Sequence, residues 1–272
     1  MTDSHPMPPA TLTPQEARQR LAQVEQLMVA YRSAIDEVET KLRVLQREFT
    51  HANSYNPIEN VSTRLKSMDS LLHKARRRGC TKIDDVRTHI TDVAGVRSLF
   101  DEAENRIGAI DIAVNTTGMV LRKPISDISE DEYDAMFDIN SKAAFFFIQE
   151  AGKRLNDGGK IISLGTSLLA AFTDGYSTYA GGKSPVEHFT RAAAKEYGAR
   201  GISVNSIAPG PMDTPFFYGQ ETPERVEFHK SQAMKNQLTQ IEDIAPIVRF
   251  LADEGWWITG QTIFANGGYT TR

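Results

Sequence analysis

The chain has 272 residues, 40% of them hydrophobic and 24% charged, enough to build one large α/β domain or two smaller ones and too apolar for wholesale disorder. The net charge of −4 gives no general attraction to nucleic acid or to a membrane surface. Cys80 is the single cysteine, which excludes an internal disulfide, and the longest apolar run, Ala143 to Ile148, is too short to span a bilayer. The scattered histidines show no metal-ligand spacing. Met1 to Pro9 is polar and proline-rich, without the apolar region of a secretory signal, so a cytoplasmic protein is expected.

Composition changes near residue 98. Of the 19 glycines only Gly79 and Gly95 precede that point. Residues 1–98 carry 15 Lys+Arg against 12 Asp+Glu, and the remainder 16 against 23. A glycine-poor front and a glycine-rich, acidic back indicate two structural units: a leader over 1–12, a helical segment over 13–98 and an α/β domain over 99–272.

In the front segment, Thr13-Pro14-Gln15-Glu16 has the form of a capped helix start. Leu21, Val24, Met28, Tyr31, Ile35, Val38, Leu42, Leu45 and Phe49 follow at spacings of three and four, which predicts a helix from about Pro14 to Thr50. Its apolar seam suits packing on its own domain or, as the sharper alternative, a contact between subunits. Tyr55-Asn56-Pro57 ends it. Ser67 caps a second helix, Met68 to Arg78, stopped by Gly79. Ile83 to Ile90 reads as helical and Asp92 to Ser98 as the start of a strand.

Several ordered blocks here, Tyr55 to Glu59, Ser62 to Ser67, Leu71 to Gly79 and Ile90 to Arg97, resemble the opening of alarmone (GTP pyrophosphokinase) synthetases of the RelA/SpoT type. The resemblance covers roughly residues 14–98. It implies ATP-phosphate contacts from Arg64, Lys66, Lys74 and Arg77, and a Mg²⁺ ligand in Asp92. The later catalytic glutamate and the guanine-stacking tyrosine of that family have no counterpart after Arg97, so pyrophosphate transfer is the lesser reading of the chain.

In the back segment, Leu99 to Arg106 reads as a helix and Ile110 to Val114 as a buried parallel strand. Ser129 caps a helix that runs on to about Leu155. Lys160 to Leu164 is the next strand, Tyr179 to Gly198 a helix with Pro185 as a local irregularity, and Ile202 to Ile207 a third strand. Ile244 to Ala252 is a helix and Thr262 to Ala265 a last strand. Alternating strands and helices predict a parallel sheet with helices on both faces. Tyr179 and Lys183, four apart, share a helix face, where an ammonium beside a phenol favours the phenolate and brings its pKa down from about 10.

Five blocks in order resemble the short-chain dehydrogenase/reductase family. They are Asn115-Thr116-Thr117-Gly118, Asn140, the Tyr179/Lys183 pair, Pro209-Gly210-Pro211, and Thr259-Gly260-Gln261 with Asn266-Gly267-Gly268. The resemblance implies a Rossmann-like sheet and hydride transfer between NAD or NADP and a small carbonyl or alcohol, with no part for nucleic acid or membranes and with a homo-oligomer expected. It makes Tyr179 the acid/base and Asn140 the anchor of a proton relay. Lys183 tunes Tyr179 and holds the cofactor ribose. The substrate-polarising hydroxyl falls on Thr166 or on the adjacent Ser167. Asn115 and Gly118 line the adenosine side, and Thr214 with the backbone after Pro209 and Gly210 holds the carboxamide. Met212 to Gln220 forms either an apolar lid or a surface helix.

Such a fold opens with a strand, a glycine-rich turn and a helix, whose backbone N–H groups receive the pyrophosphate. Residues 1–98 hold no such turn. The expected protein is therefore a fusion of two truncated domains, with a partial sheet, an apolar edge at Ile110 to Val114 and weakened nicotinamide binding. A non-catalytic chimera that uses its heptad seam for assembly is the third reading.

Overall fold

The computed structural model describes residues 90–271. The long heptad helix, the Met68 to Arg78 helix and the residues that resemble an alarmone synthetase up to residue 89 lie outside them.

Helix α1 spans Val93–Ile107. Asp92, extended at φ −121°, caps it by accepting from the Gly95 N–H at 2.7 Å. The expected strand over Asp92 to Ser98 is thus replaced by the first turn of this helix. Val96 and Phe100 reach the core, so the junction placed at residue 98 falls inside α1. Strand β1 is Ile112–Asn115, shifted toward the C-terminus from Ile110 to Val114.

The helix expected from Ser129 to about Leu155 is three pieces. Ser129 and Glu132 form a reciprocal capping box at the start of α2, Glu130–Phe137. A π-helical turn, Asp138–Lys142, follows, and α3 runs Ala143–Arg154. Such a wide turn often accompanies a side chain held for function, and here Asn140 lies in it, fully buried.

Strand β2, Lys160–Leu164, and helix α4, Ser177–Tyr197, come next, with Pro185 inside a helix that stays continuous. Strand β3, Ser203–Pro209, is buried at all seven positions. Helix α5, Pro215–Tyr218, falls within Met212 to Gln220, the stretch read as a lid or a surface helix, and α6, Pro223–Ser231, follows with no counterpart in the sequence patterns. Helix α7, Ile241–Ala252, and strand β4, Thr262–Ala265, complete the described residues.

The strands pair in parallel in the order β1-β2-β3-β4. Alternate residues of β2 feed opposite faces. Ile161 joins a core with Val96, Phe100, Ile148 and Val204 under α1, α3 and α4. Ile162 joins Ile207, Ile244 and Leu251 under α7. Each such side chain, taken from water, stabilises the fold by about 1.5–3 kcal/mol. Among the described residues β1 is an edge strand, with Ile112 47% and Val114 36% exposed.

Candidate active site

A parallel sheet delivers its loops to the carboxyl ends of its strands, and the singled-out residues gather there. Asn115 ends β1; its side-chain oxygen accepts from the Thr117 N–H at 3.0 Å and shapes the turn toward Gly118. Thr166 and Ser167 follow β2, while Pro209 ends β3 and Gly210 follows it.

Asn140 is tied to the backbone of that first turn. Its Oδ1 accepts from the Met119 N–H at 3.1 Å and its Nδ2 donates to the Met119 carbonyl at 2.8 Å. Lys183 donates to the carbonyls of Thr117 at 2.9 Å and Leu164 at 3.0 Å. It thereby links the ends of β1 and β2 to α4. Helix α4 comes close enough because Gly182 has no side chain: a Cβ there would stand 3.1 Å from the Met136 carbonyl and 3.3 Å from the Asn140 Cβ.

Gly118 faces both polar groups. A Cβ on it would lie 3.0 Å from Asn140 Oδ1 and 3.0 Å from Lys183 Nζ. The glycine thus keeps open a cradle lined by a side-chain amide and an ammonium. Gly118→Ala is expected to displace Lys183 or Asn140 and to raise the KM for the nicotinamide cofactor that the family resemblance implies by about tenfold, since small misplacements at a site cost about that much or more. Steady-state kinetics at varied cofactor checks this, with the melting temperature as the control for folding.

Tyr179 is 8% exposed, and the Thr166 hydroxyl is the side-chain group that acts on its phenol. Thr166 and Ser167 differ in what they touch. Ser167 donates to the Ala208 carbonyl at 3.0 Å and accepts from Asn266 Nδ2 at 3.0 Å, so it is spent on joining β2, β3 and the C-terminal segment. Thr166 is the hydroxyl beside Tyr179.

The expected tuning of the phenol is reversed. Burial pushes Tyr179 up to about 12, only partly offset by the hydrogen bond from Thr166. Burial pulls Lys183 down to about 8. The ammonium is satisfied by two backbone carbonyls, and desolvation rather than a Lys–Tyr charge contact decides the phenol. Tyr179 is therefore a protonated phenol throughout the neutral range.

Gly210 donates to the Ala265 carbonyl at 3.2 Å, and a Cβ on it would meet Thr239 Oγ1 at 2.8 Å and the Asn266 backbone at 3.1 Å. Thr214 is the half-buried N-cap of α5, with its side chain making no capping bond. Helix α5 brings Phe216 to Tyr179, ring centroids 6.2 Å apart. Met119, Val120, Leu121 and Leu168 pack on the cluster formed by Met136, Tyr176 and Tyr179.

Residues 60–270 match the family model described as enoyl-(acyl carrier protein) reductase. The chain belongs to the short-chain dehydrogenase/reductase family. It is 40% identical over 189 residues to the NADPH-dependent aldehyde reductase 2, chloroplastic, of Arabidopsis thaliana, covering 67% of this chain and 70% of that protein. A putative dehydrogenase from Burkholderia cenocepacia, solved with bound NADP, is 57% identical, with a TM-score of 0.71 over 72% of this chain and 76% of that one. A blue fluorescent protein from a metagenomic library, solved with NADPH, is 30% identical, with a TM-score of 0.70 over 80% and 86%. The short-chain reductase is thus an NAD(P)-dependent oxidoreductase.

The family match begins at residue 60 and takes in Ile90 to Arg97, part of the stretch that resembles an alarmone synthetase. Asp92, implied there as a Mg²⁺ ligand, serves α1 as its cap. No group of His, Cys, Asp or Glu side chains suited to a metal occurs among the described residues. None of their helices is long and apolar enough to cross a membrane.

Proposed function

We propose that this reductase converts a small, apolar carbonyl compound to its alcohol, with NADP(H) as the redox partner and Tyr179 as the proton donor. The observation that carries this reading is that one helix, α4, presents Tyr179 to the apolar cluster that Met119 packs on and Lys183 to the turn at Gly118, with the Thr166 hydroxyl acting on the phenol. The group suits a dinucleotide because a side-chain-free residue, Gly118, lies against an amide and against an ammonium that keeps one N–H beyond its two carbonyl bonds. Asn115, Gly118, Lys183, Pro209, Gly210 and Thr214 would hold it. When bound, NADPH supplies the hydride to the carbonyl carbon. Thr166 orients the substrate oxygen and Tyr179 gives it the proton, which completes the alcohol. Asn140 fixes the turn at Met119 and, with Lys183, keeps the ends of β1 and β2 in register with α4. Ser167 acts behind this group as a brace.

A phenol held near 12 is a weak acid but is almost wholly protonated at neutral pH, so the free site carries the proton that carbonyl reduction consumes. The apolar surround of Met119, Leu121, Leu168 and Phe216 suits aromatic or alkyl carbonyls. Aldehyde and ketone panels with NADPH and NADH test the reading, and an alcohol that accumulates only with added cofactor is the expected result.

Lys183 sets the pH dependence. Protonated, it has three N–H groups, two for the carbonyls of Thr117 and Leu164 and one for a ligand. Neutral, it has only the two. Its pKa is lowered to about 8, so NADPH affinity is expected to hold through neutral pH and weaken as pH rises through about 8. Fluorescence titrations of NADPH from pH 6 to pH 9.5, flanking the lysine's midpoint of about 8, check this.

The same proposal places the domain junction ahead of α1, since α1 belongs to the core of the sheet. A homo-oligomer in a reducing, cytoplasmic setting completes it; Trp256 and Trp257 are 61% and 81% exposed, and light scattering is expected to give more than one chain's mass.

A further inference from the structure

Glu221 lies in the turn before α6 and its side chain is fully buried. It accepts hydrogen bonds from the Tyr176 hydroxyl, from Arg225 Nε at 2.8 Å and from His229 Nε2 at 3.1 Å. Burial alone would raise its carboxyl, yet the bonds from Tyr176 and Arg225 and the neighbouring charges hold it below the ordinary range. Burial keeps His229 neutral below its usual value. With Nε2–H given to Glu221, its Nδ1 accepts from the Tyr269 hydroxyl at 2.8 Å. Every proton in the chain of bonds therefore points toward one carboxylate.

The cluster balances its charges. Asp174 pairs with Arg122 at 3.0 Å and Arg225 at 3.1 Å, and Arg122 Nε stands 3.8 Å from Glu221. Two cations meet two anions, which leaves no net charge for an anionic ligand. What the cluster joins is more informative. Tyr176 is the residue before α4, three ahead of Tyr179, and their rings meet edge to face at 6.2 Å. His229, on α6, packs against Phe217 of α5 at 5.3 Å, and the neighbouring Phe216 meets Tyr179.

We infer that Glu221 is a positioning residue for the reduction proposed above: it fastens α6 and α5 to the start of α4, and so fixes the apolar wall against which a bulky carbonyl substrate rests beside Tyr179. The inference rests on that reading of the site. It has a signature that general destabilisation lacks, because only substrates that reach the wall should feel its loss.

The test compares benzaldehyde with acetaldehyde in the full chain. Glu221→Ala is expected to raise the KM for benzaldehyde by about tenfold. The KM for acetaldehyde and for NADPH should stay within about twofold. Glu221→Gln, which keeps the shape and one acceptor, should recover part of the loss. Equal effects on both aldehydes, or none, in a folded variant overturn the inference. Should Glu221→Ala fail to fold, Tyr176→Phe deletes one bond and keeps the ring; a selective rise of about threefold in the benzaldehyde KM is expected, and no selectivity overturns the inference. Should the parent reduce neither aldehyde, the proposed function fails by itself. Trypsin cleavage after Lys230 and Lys235, faster in the Glu221 or Tyr176 variants than in the parent, then reads the fastening directly, and unchanged cleavage refutes it.

Discussion

Tyr179→Phe is expected to lower kcat for NADPH-dependent carbonyl reduction by about 100- to 10,000-fold, the usual weight of a positioned proton donor. The substitution removes one hydroxyl and leaves the ring between Tyr176 and Phe216. Its effect on folding is small for a physical reason. Apart from its interaction with the Thr166 hydroxyl, no hydrogen bond among the described residues depends on the Tyr179 hydroxyl, and the cost of desolvating that buried hydroxyl is removed with it. NADPH affinity should not change, because Lys183 and Asn140 hold their places through backbone carbonyls rather than through Tyr179. Steady-state kinetics beside a cofactor titration separates the two effects. A variant that keeps a tenth or more of the parent's kcat denies Tyr179 its role.

Asn140→Ala is expected to be the more damaging change for the fold. It leaves the N–H and the carbonyl of Met119 without their Asn140 partners in a half-buried turn. Each orphaned group costs about 1–3 kcal/mol, and for a domain of this size each kcal/mol lowers Tm by about 2–4 °C. A fall of about 5–15 °C follows, together with weaker cofactor binding as the turn at Gly118 loses its tether. Thermal melts of Asn140→Ala beside the parent check this; an unchanged melting temperature would show that Asn140 does not hold Met119.

Much of the sheet was legible in the sequence because its central strands, β2 and β3, are buried on both faces. Lys160–Leu164 and Thr262–Ala265 read with the bounds they have, each a short apolar run beside glycines. Tyr179 and Lys183 announced themselves by helical spacing, and Asn115, Gly118, Asn140 and Pro209 by their order along the chain. The π-helical turn at Asn140 left no trace, since one extra residue in a helix barely disturbs the apolar period on either side. The start of α1 was misread because Asp92-Val93 suits a strand as well as a cap until the partner at Gly95 is seen. The pKa of Tyr179 was predicted in the wrong direction because spacing reports proximity and says nothing of burial. Glu221 went unnoticed for a related reason: Tyr176 is 45 residues away, a distance that no local pattern spans.

The sequence before α1 still lacks the glycine-rich turn that receives a pyrophosphate, with Gly79 and Gly95 standing alone and Gly95 inside α1. On this account the nicotinamide half of the site is complete and the cofactor is held weakly, with half-saturation near about 1 mM rather than in the micromolar range. The most direct measurement uses NADPH deuterated at the reactive carbon of its ring, mixed with the full chain and benzaldehyde, with the benzyl alcohol analysed for label. Deuterium on the alcohol carbon, formed at a rate still rising with NADPH near about 1 mM and lost in Tyr179→Phe, is the predicted result. No label in the alcohol at any NADPH concentration, from a protein whose Asn140 and Lys183 contacts are intact, would contradict the account.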